Sequence, residues 1–244
     1  MRTYSKTDIG KARDMNQDFI YAADEEKDIK LCILADGMGG YKGGEIASSL
    51  ATISAKQYID ENFSNIVPNK ENIQELIKEA MEYANNEVYE KAKENKELEQ
   101  MGTTLEICLI YENKVYIGHI GDSRIYRIRK NIIRRITTDH SYVETLVKDG
   151  TITRAEAFYH PKKNMLMKAL GCTEKIEPDV TVKGFLPDDI ILMCSDGLTN
   201  MLHEEEIYSI IREDENMACE RLVQRANELG GYDNISVIII SNKN

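Results

Sequence analysis

Two of the most apolar stretches of this chain end on the same dipeptide. Leu31-Cys32-Ile33-Leu34-Ala35 runs into Asp36-Gly37, and Ile190-Ile191-Leu192-Met193-Cys194-Ser195 runs into Asp196-Gly197. Short continuous apolar runs read as strands buried on both faces. Asp-Gly after a strand is ordinarily a hairpin turn. Neither chain segment beyond these dipeptides continues as a strand: MGGYKGGEIASSLATISAKQYI is glycine-rich and then helical, and LTNMLHEEEIYSII is helical. Each aspartate therefore stands where a buried strand gives way to helix. Such strand ends let a β scaffold gather side chains from distant stretches at one rim. Asp149-Gly150 lies between helical patterns and keeps its turn reading.

The rest of the chain extends the pattern. Further strands are predicted over 3–7, 19–23, 29–35, 104–111, 114–120, 123–129, 132–137, 180–184, 189–195 and 235–241. Glu112-Asn113 and Lys130-Asn131 are placed as tight hairpin turns between them. Apolar residues at helical spacing predict helices over 44–61, 72–95, 204–212 and 216–229. Residues 141–171 read as short helices with charged joints, a small cap outside the core. Runs of strands followed by pairs of helices make an α+β fold, most simply two antiparallel sheets packed together with helices outside. One domain is expected over 1–244, since no Pro-rich linker or repeat divides the chain.

Composition limits the partners. The formal net charge of -11 makes nucleic acid and anionic membranes poor partners. No apolar run approaches the roughly 20 residues that span a bilayer, and MRTYSKTDIG lacks a signal-peptide core. The five cysteines, Cys32, Cys108, Cys172, Cys194 and Cys219, form no C-x-x-C pair and mostly sit in apolar runs. Free buried thiols in a reducing cytoplasm are expected.

Asp122 and Asp233 also close or border apolar runs, and Asp18 precedes one. Carboxylates gathered at one rim repel one another unless cations neutralise them. Oxygen ligands select hard divalent ions, and no His/Cys cluster offers a zinc site. Two such ions about 3.5–4 Å apart are a common device for phosphoester hydrolysis. Arg13, just before Asp14-Met15-Asn16-Gln17-Asp18, could grip phosphate oxygens in a bidentate fork or simply pair with Asp14 at the surface.

The motifs, taken in order, resemble the PPM family of metal-dependent (type 2C) Ser/Thr protein phosphatases. Gly10-Lys11-Ala12-Arg13 with Asn16-Gln17-Asp18 is similar to the opening motif, and Asp36-Gly37-Met38-Gly39-Gly40 to the most distinctive one. Gly102-Thr103-Thr104, Gly121-Asp122-Ser123-Arg124 and Thr138-Asp139-His140-Ser141 come next. His160-Pro161 through Asn164 to Ala169-Leu170-Gly171 resembles the flap of bacterial members. Ser195-Asp196-Gly197-Leu198 and Asp233-Asn234-Ile235-Ser236 close the set. The resemblance implies a β-sandwich with a helical layer on each face. It implies hydrolysis of phosphoserine and phosphothreonine in proteins by metal-activated water, with no covalent enzyme intermediate. It also implies Mn2+ or Mg2+, two per subunit with a third near the flap. Asp36 would bridge two ions, the Gly37 carbonyl would bind the second, and Asp196 and Asp233 would hold the first. Asp18 would lie in or beside this shell, Asp122 with Asp196 would hold the third ion, and Arg13 would bind the substrate phosphate. Phosphorylated proteins, a Ser/Thr kinase to oppose and a cytoplasmic monomer are the implied setting.

Two positions depart from the family pattern. Gln17 stands where many members carry glutamate, which lowers the charge offered to the second ion. Met38 stands where many eukaryotic members carry a histidine proposed as general acid, and a thioether cannot donate a proton. His140 and His160, at the ends of the flap, are acid–base candidates. His119 reads as a core or edge residue and His203 as a helix start. Cys219 and Arg225 fit a C-x5-R spacing, but the stretch has no glycine and its apolar residues recur at helical spacing, so a cysteine-phosphatase loop is rejected. The rival functions are an inactive phosphoprotein-docking module, which Gln17 would suit, and a calcium-binding regulator, for which no EF-hand loop is present.

Overall fold

The computed structural model describes residues 1–22, 29–94 and 96–243. The chain opens with β1 (Arg2–Asp8), β2 (Asp18–Tyr21) and β3 (Lys30–Met38), then helices α1 (Gly40–Asn62) and α2 (Lys70–Glu94). A meander comes next: β4 (Gly102–Thr103), β5 (Leu105–Tyr111), β6 (Lys114–Ile120), β7 (Arg124–Arg129) and β8 (Ile132–Arg135). Short helices α3 (Tyr142–Lys148) and α4 (Arg154–Tyr159) occupy the expected flap. The chain ends with β9 (Asp179–Gly184), β10 (Ile190–Cys194), α5 (Asp196–Thr199), α6 (Glu204–Glu213), α7 (Ala218–Glu228) and β11 (Ile235–Ser241). The expected strand end at Ala23 and helix end at Asn95 lie outside the described residues.

One sheet has the order β1-β11-β10-β7-β8 and the other β2-β3-β5-β6-β9, with β4 added on β3. The pairings within both are antiparallel, as expected. The two hairpin turns are present, and Glu112 (φ 52°) and Lys130 (φ 54°) adopt the left-handed conformation that such turns demand.

Strict alternation builds four layers. Along β10, Ile190, Leu192 and Cys194 face the helical side, whereas Ile191 and Met193 face the other sheet. Along β3, Leu31, Ile33 and Ala35 face α1 and α2, whereas Cys32 and Leu34 fill the space between the sheets. These strands are apolar on both faces because both faces are covered. Helix α1 presents Ala47, Ala51, Ala55 and Ile59 to its sheet, and the small side chains let it approach closely. Helix α2 adds a stripe of Ile73, Leu76, Ile77, Ala80, Ala84 and Val88. Helices α6 and α7 cover the other sheet with Ile207, Ile211, Leu222 and Val223. The arrangement is α-β-β-α. No helix among the described residues is long and apolar enough to cross a membrane.

One boundary differs in a way that matters. Asp36 does not end its strand, because Gly37 and Met38 continue β3 by pairing with Thr103 and Gly102 of β4. Asp36 therefore sits inside a three-stranded ladder rather than on a free strand end. Cys172 is the exposed exception among otherwise buried thiols. Cys219 lies in α7, so its spacing to Arg225 is helical packing.

Candidate active site

Strand register brings the aspartates to one end of the sandwich. Cys194 of β10 pairs with Val237 of β11 and with Arg124 of β7, while Asp8 at the end of β1 pairs with Ile235. The turn after β10 (Asp196), the entry to β11 (Asp233) and the entry to β7 (Asp122) thus share a rim. In the other sheet Asp18 pairs directly with Asp36. A cleft of about 580 Å³ opens there, lined by Arg13, Asp36, Gly37, Met38, Asp122 and Asp196, with Asp233 and Asn164 at its wall. Asp18 is buried behind it.

The field among these acids is strongly repulsive. Burial, then the charges of Asp18, Asp196, Asp122 and Asp233, push the Asp36 carboxyl well above its usual range. Asp122 is likewise raised well above normal, by burial first and Asp196 next. Burial raises Asp18 to about 7 despite hydrogen bonds from Ser236 and Ser195. Asp196 rises to about 6 through burial and Asp233, held down in part by hydrogen bonds with Asp36 and Asn200. Asp18 Oδ2 accepts a hydrogen bond from Ser195 Oγ at 2.8 Å, yet its buried Oδ1 has no partner. Among the described residues no three His, Cys, Asp or Glu side chains already close round one ion position. The acids share a rim and a field without forming a finished cage.

Backbone clamps hold the rim. Asp36 N–H donates to Thr104 Oγ1 (3.0 Å), and its carbonyl accepts from Thr103 Oγ1 (3.0 Å) and Thr104 N–H (2.9 Å). Gly37 packs so tightly that a Cβ there would lie 2.0 Å from the Gly44 carbonyl oxygen. Asn234 accepts from Gln17 N–H (2.8 Å) and donates to the Ile9 and Met15 carbonyls (2.9 Å each). It thereby fastens the segment that carries Arg13. Arg13 pairs with Asp233 Oδ2 at 2.8 Å, not with Asp14, and remains half exposed at the mouth of the cleft.

The flap leans on a chain of ion pairs. Arg124 binds Asp139 through two nitrogens (2.7 and 3.0 Å), Arg135 joins Asp139 (3.1 Å) to Glu144 (3.2 Å), and Glu144 takes Arg154 (2.9 Å). Beneath it lies a second cavity of about 440 Å³ that shares Asp122, Asn164 and Asp196 with the cleft. Neither His140 nor His160 lines the cleft. His140 is instead stacked on buried His119 (ring centroids 4.6 Å apart), and His203 starts α6 against Phe158. Thr104, Asn234, Asn200, Asp139 and Glu144 were given no role by the sequence patterns. Only their places within or beside the motifs signalled them.

A two-sheet sandwich covered by helices, with acidic side chains at one rim beside an arginine, defines a metal-dependent phosphoester hydrolase class. The sequence profile of the protein phosphatase 2C family matches residues 10–229. Protein phosphatase PhpP of Streptococcus pneumoniae is 37% identical over 238 residues, covering 96% of this chain and 95% of its own. The Mycobacterium tuberculosis serine/threonine phosphatase PstP/Ppp superposes with a TM-score of 0.90 at 33% identity, covering 100% of this chain and 99% of its own. A structure of the PstP catalytic domain in complex with 2 manganese ions superposes at 0.86, with 33% identity, 98% coverage of this chain and 96% of its own. The chain belongs to the protein phosphatase 2C (PPM) family and is a metal-dependent protein-serine/threonine phosphatase.

Proposed function

We propose that the cleft hydrolyses phosphoserine and phosphothreonine with Asp36, the Gly37 carbonyl, Asp196, Asp233 and Asp18 holding two Mn2+ or Mg2+ ions. Asp122 and Asp196 would hold a third. The donor set fits: it is all oxygen, as hard divalent ions require, and it includes the partnerless buried Asp18 Oδ1. The observation that carries the reading is the convergence of Asp36, Asp122, Asp196 and Asp233 on one cleft, with Asp18 paired to Asp36, a mutually repelling set that cations would relieve. When bound, such ions supply charge neutralisation for phosphoryl oxygens and a water of lowered pKa. Arg13 turns its guanidinium from Asp233 to the incoming phosphate at the mouth. Asn234 and the Thr103-Thr104 pair hold the ligand-bearing backbone in place, so binding would reorient carboxylate side chains rather than the backbone. Met38 lines the cleft but has no proton to give, so the leaving alkoxide takes its proton from another source. Gln17 lines the cleft beside Asp36 and Gly37, where it would offer a held ion a neutral amide in place of a carboxylate. The Arg124–Asp139–Arg135–Glu144–Arg154 chain fixes the 141–171 flap against the sandwich.

The chain would act in the cytoplasm as a monomer on phosphoproteins, opposing a Ser/Thr kinase. Turnover of a phosphothreonine peptide should vanish with excess chelator and return with Mn2+, and Asp36→Asn should reduce it to background. Turnover that survives the chelator would sink the reading. A protein that binds phosphopeptide but never turns it over would favour the docking-module alternative.

A further inference from the structure

Behind the rim lies a buried polar stack that the phosphatase reaction does not call for. Glu106 of β5 and His119 of β6 face each other directly in the register, and both are fully buried. Glu106 Oε1 lies 2.7 Å from His119 Nδ1, and His119 Nε2 lies 2.9 Å from the Thr138 carbonyl. A carbonyl only accepts, so His119 Nε2 carries a hydrogen. A carboxylate on Nδ1 then favours the doubly protonated ring. Burial alone would lower His119, but Glu106 outweighs it and raises the imidazole to about 9. Burying such a pair is expensive, and Glu106 Oε2 is left with no hydrogen-bond partner. The position of the pair suggests what offsets that cost.

His140 stacks on the His119 ring. Burial first, and the His119 charge second, lower His140 to about 4, against the opposing pull of Asp179. Lys168 of the flap adds a further lowering charge. A neutral His140 has a free lone pair on one nitrogen. Its Nδ1 accepts from Gly121 N–H at 3.2 Å, while Nε2 faces Asp179 Oδ2 at 3.3 Å. The His140 backbone adds two bonds: its N–H donates to the Gly121 carbonyl (2.7 Å) and its carbonyl accepts from Met167 N–H of the flap (2.7 Å). Gly121 sits at φ +117°, a conformation that only glycine adopts readily. It is therefore held on both its N–H and its C=O by one residue, immediately before Asp122.

We propose that His140 is a positioning residue for Asp122: its Nδ1 accepts from Gly121 N–H, its backbone N–H holds the Gly121 carbonyl and its own carbonyl takes Met167 N–H, and this clamp aims the Asp122 carboxylate into the cleft and ties that aim to the flap. The inference rests on the reading that Asp122 holds a cation. The test is Mn2+ titration by calorimetry of the full chain and its variants, without substrate. Asn places its Oδ1 where the His Nδ1 stood, and Phe keeps the stacking ring without an acceptor. His140→Phe should weaken the Mn2+ site lost in Asp122→Asn by about tenfold or more, the usual effect of removing an outer-shell partner. It should leave the other Mn2+ sites within about twofold, and His140→Asn should keep the Asp122-dependent site within about threefold. Equal losses in both variants, or no loss in His140→Phe, would overturn the proposal. An Asp122→Asn protein with an unchanged Mn2+ isotherm would instead remove Asp122 from the metal site, leaving Asp36, Asp196 and Asp233 untouched. Should His140→Phe fail to fold, the ring 15N shifts of the wild-type protein decide. A neutral ring with hydrogen on Nε2 at neutral pH is required, and the opposite tautomer or a charged ring would refute it.

Discussion

Replacing Asn234 with alanine tests how the rim is assembled, because one side chain holds three backbone groups there. Asn234 is buried, accepts from Gln17 N–H at 2.8 Å and donates to the Ile9 and Met15 carbonyls at 2.9 Å each. An intramolecular hydrogen bond is worth about 1 kcal/mol net, and orphaning its buried partner costs at least as much, so three lost bonds amount to about 3 kcal/mol. In a domain of this size each kcal/mol moves the melting point by about 2–4 °C, which gives a drop of about 6–12 °C. The same loss frees the segment that carries Arg13, so KM for a small phosphate ester should rise more than kcat falls. Asn234→Asp sharpens the test: it keeps the acceptor for Gln17 but turns a carboxylate oxygen toward two carbonyls, and it should be at least as damaging. The assays are thermal unfolding by circular dichroism without metal and steady-state kinetics with p-nitrophenyl phosphate. A melting point within about 2 °C of wild type, less than a single lost bond would cause, or an unchanged KM, would show that the 9–17 segment is held by something else.

Gly37→Ala should yield little folded protein and no turnover, since its Cβ would lie 2.0 Å from the Gly44 carbonyl, an atom of a rigid helix. A soluble, active Gly37→Ala enzyme would contradict that packing. Glu144→Gln should cost about 1–3 kcal/mol by weakening the buried anchor of Arg135, and should speed amide exchange over 142–159 far more than in β10 or β11. Uniform exchange changes would mean that the ion-pair chain does not anchor the flap. Cys219→Ser should leave turnover per folded molecule unchanged, because the thiol is buried in α7. The His119 imidazole, raised in the fold to about 9 from 6.5, gives stability that is complete below about pH 6.5 and is lost as pH rises through 9. Glu106, raised to about 7, has finished titrating by about pH 8, and the buried thiols Cys108, Cys194 and Cys219, also raised by burial, contribute alike to wild type and a His119→Gln variant, so the difference between the two melting curves from about pH 8 to 10 reports the histidine. Wild type should lose more there than His119→Gln, and parallel curves would refute the ion pair.

The sequence was most readable where one physical rule acted alone. Apolar runs such as 31–35 and 190–195 had to be two-face-buried strands, and the helical turnover after each Asp-Gly ruled out hairpins, so the layered α-β-β-α order followed. The extension of β3 to Met38 was hidden, because its cause is a partner strand more than sixty residues away, and Gly37-Met38 alone carries no strand signal. The aspartates could be nominated from strand ends and motif order, but their convergence depends on register. The pairings of Asp18 with Asp36, of Asp8 with Ile235, and of Cys194 with Val237 and Arg124 bring five distant carboxyl groups to one rim.

What stayed illegible were residues whose work is done through other residues. Asn234 lies in a recognisable motif, but its importance comes from three backbone groups that sequence does not place beside it. Asp139 and Glu144 read as ordinary charges until the fold buries them between arginines. His140 sat in a motif and invited an acid–base reading, because histidine is the usual near-neutral proton carrier. Its burial against a cationic ring makes it a poor carrier and a good fixed acceptor. The same residue type thus changes role with its neighbour's charge, and that charge is set by Glu106 on an adjacent strand. A reading that stops at the carboxylates would miss that the rim is aimed from behind by a buried ion pair.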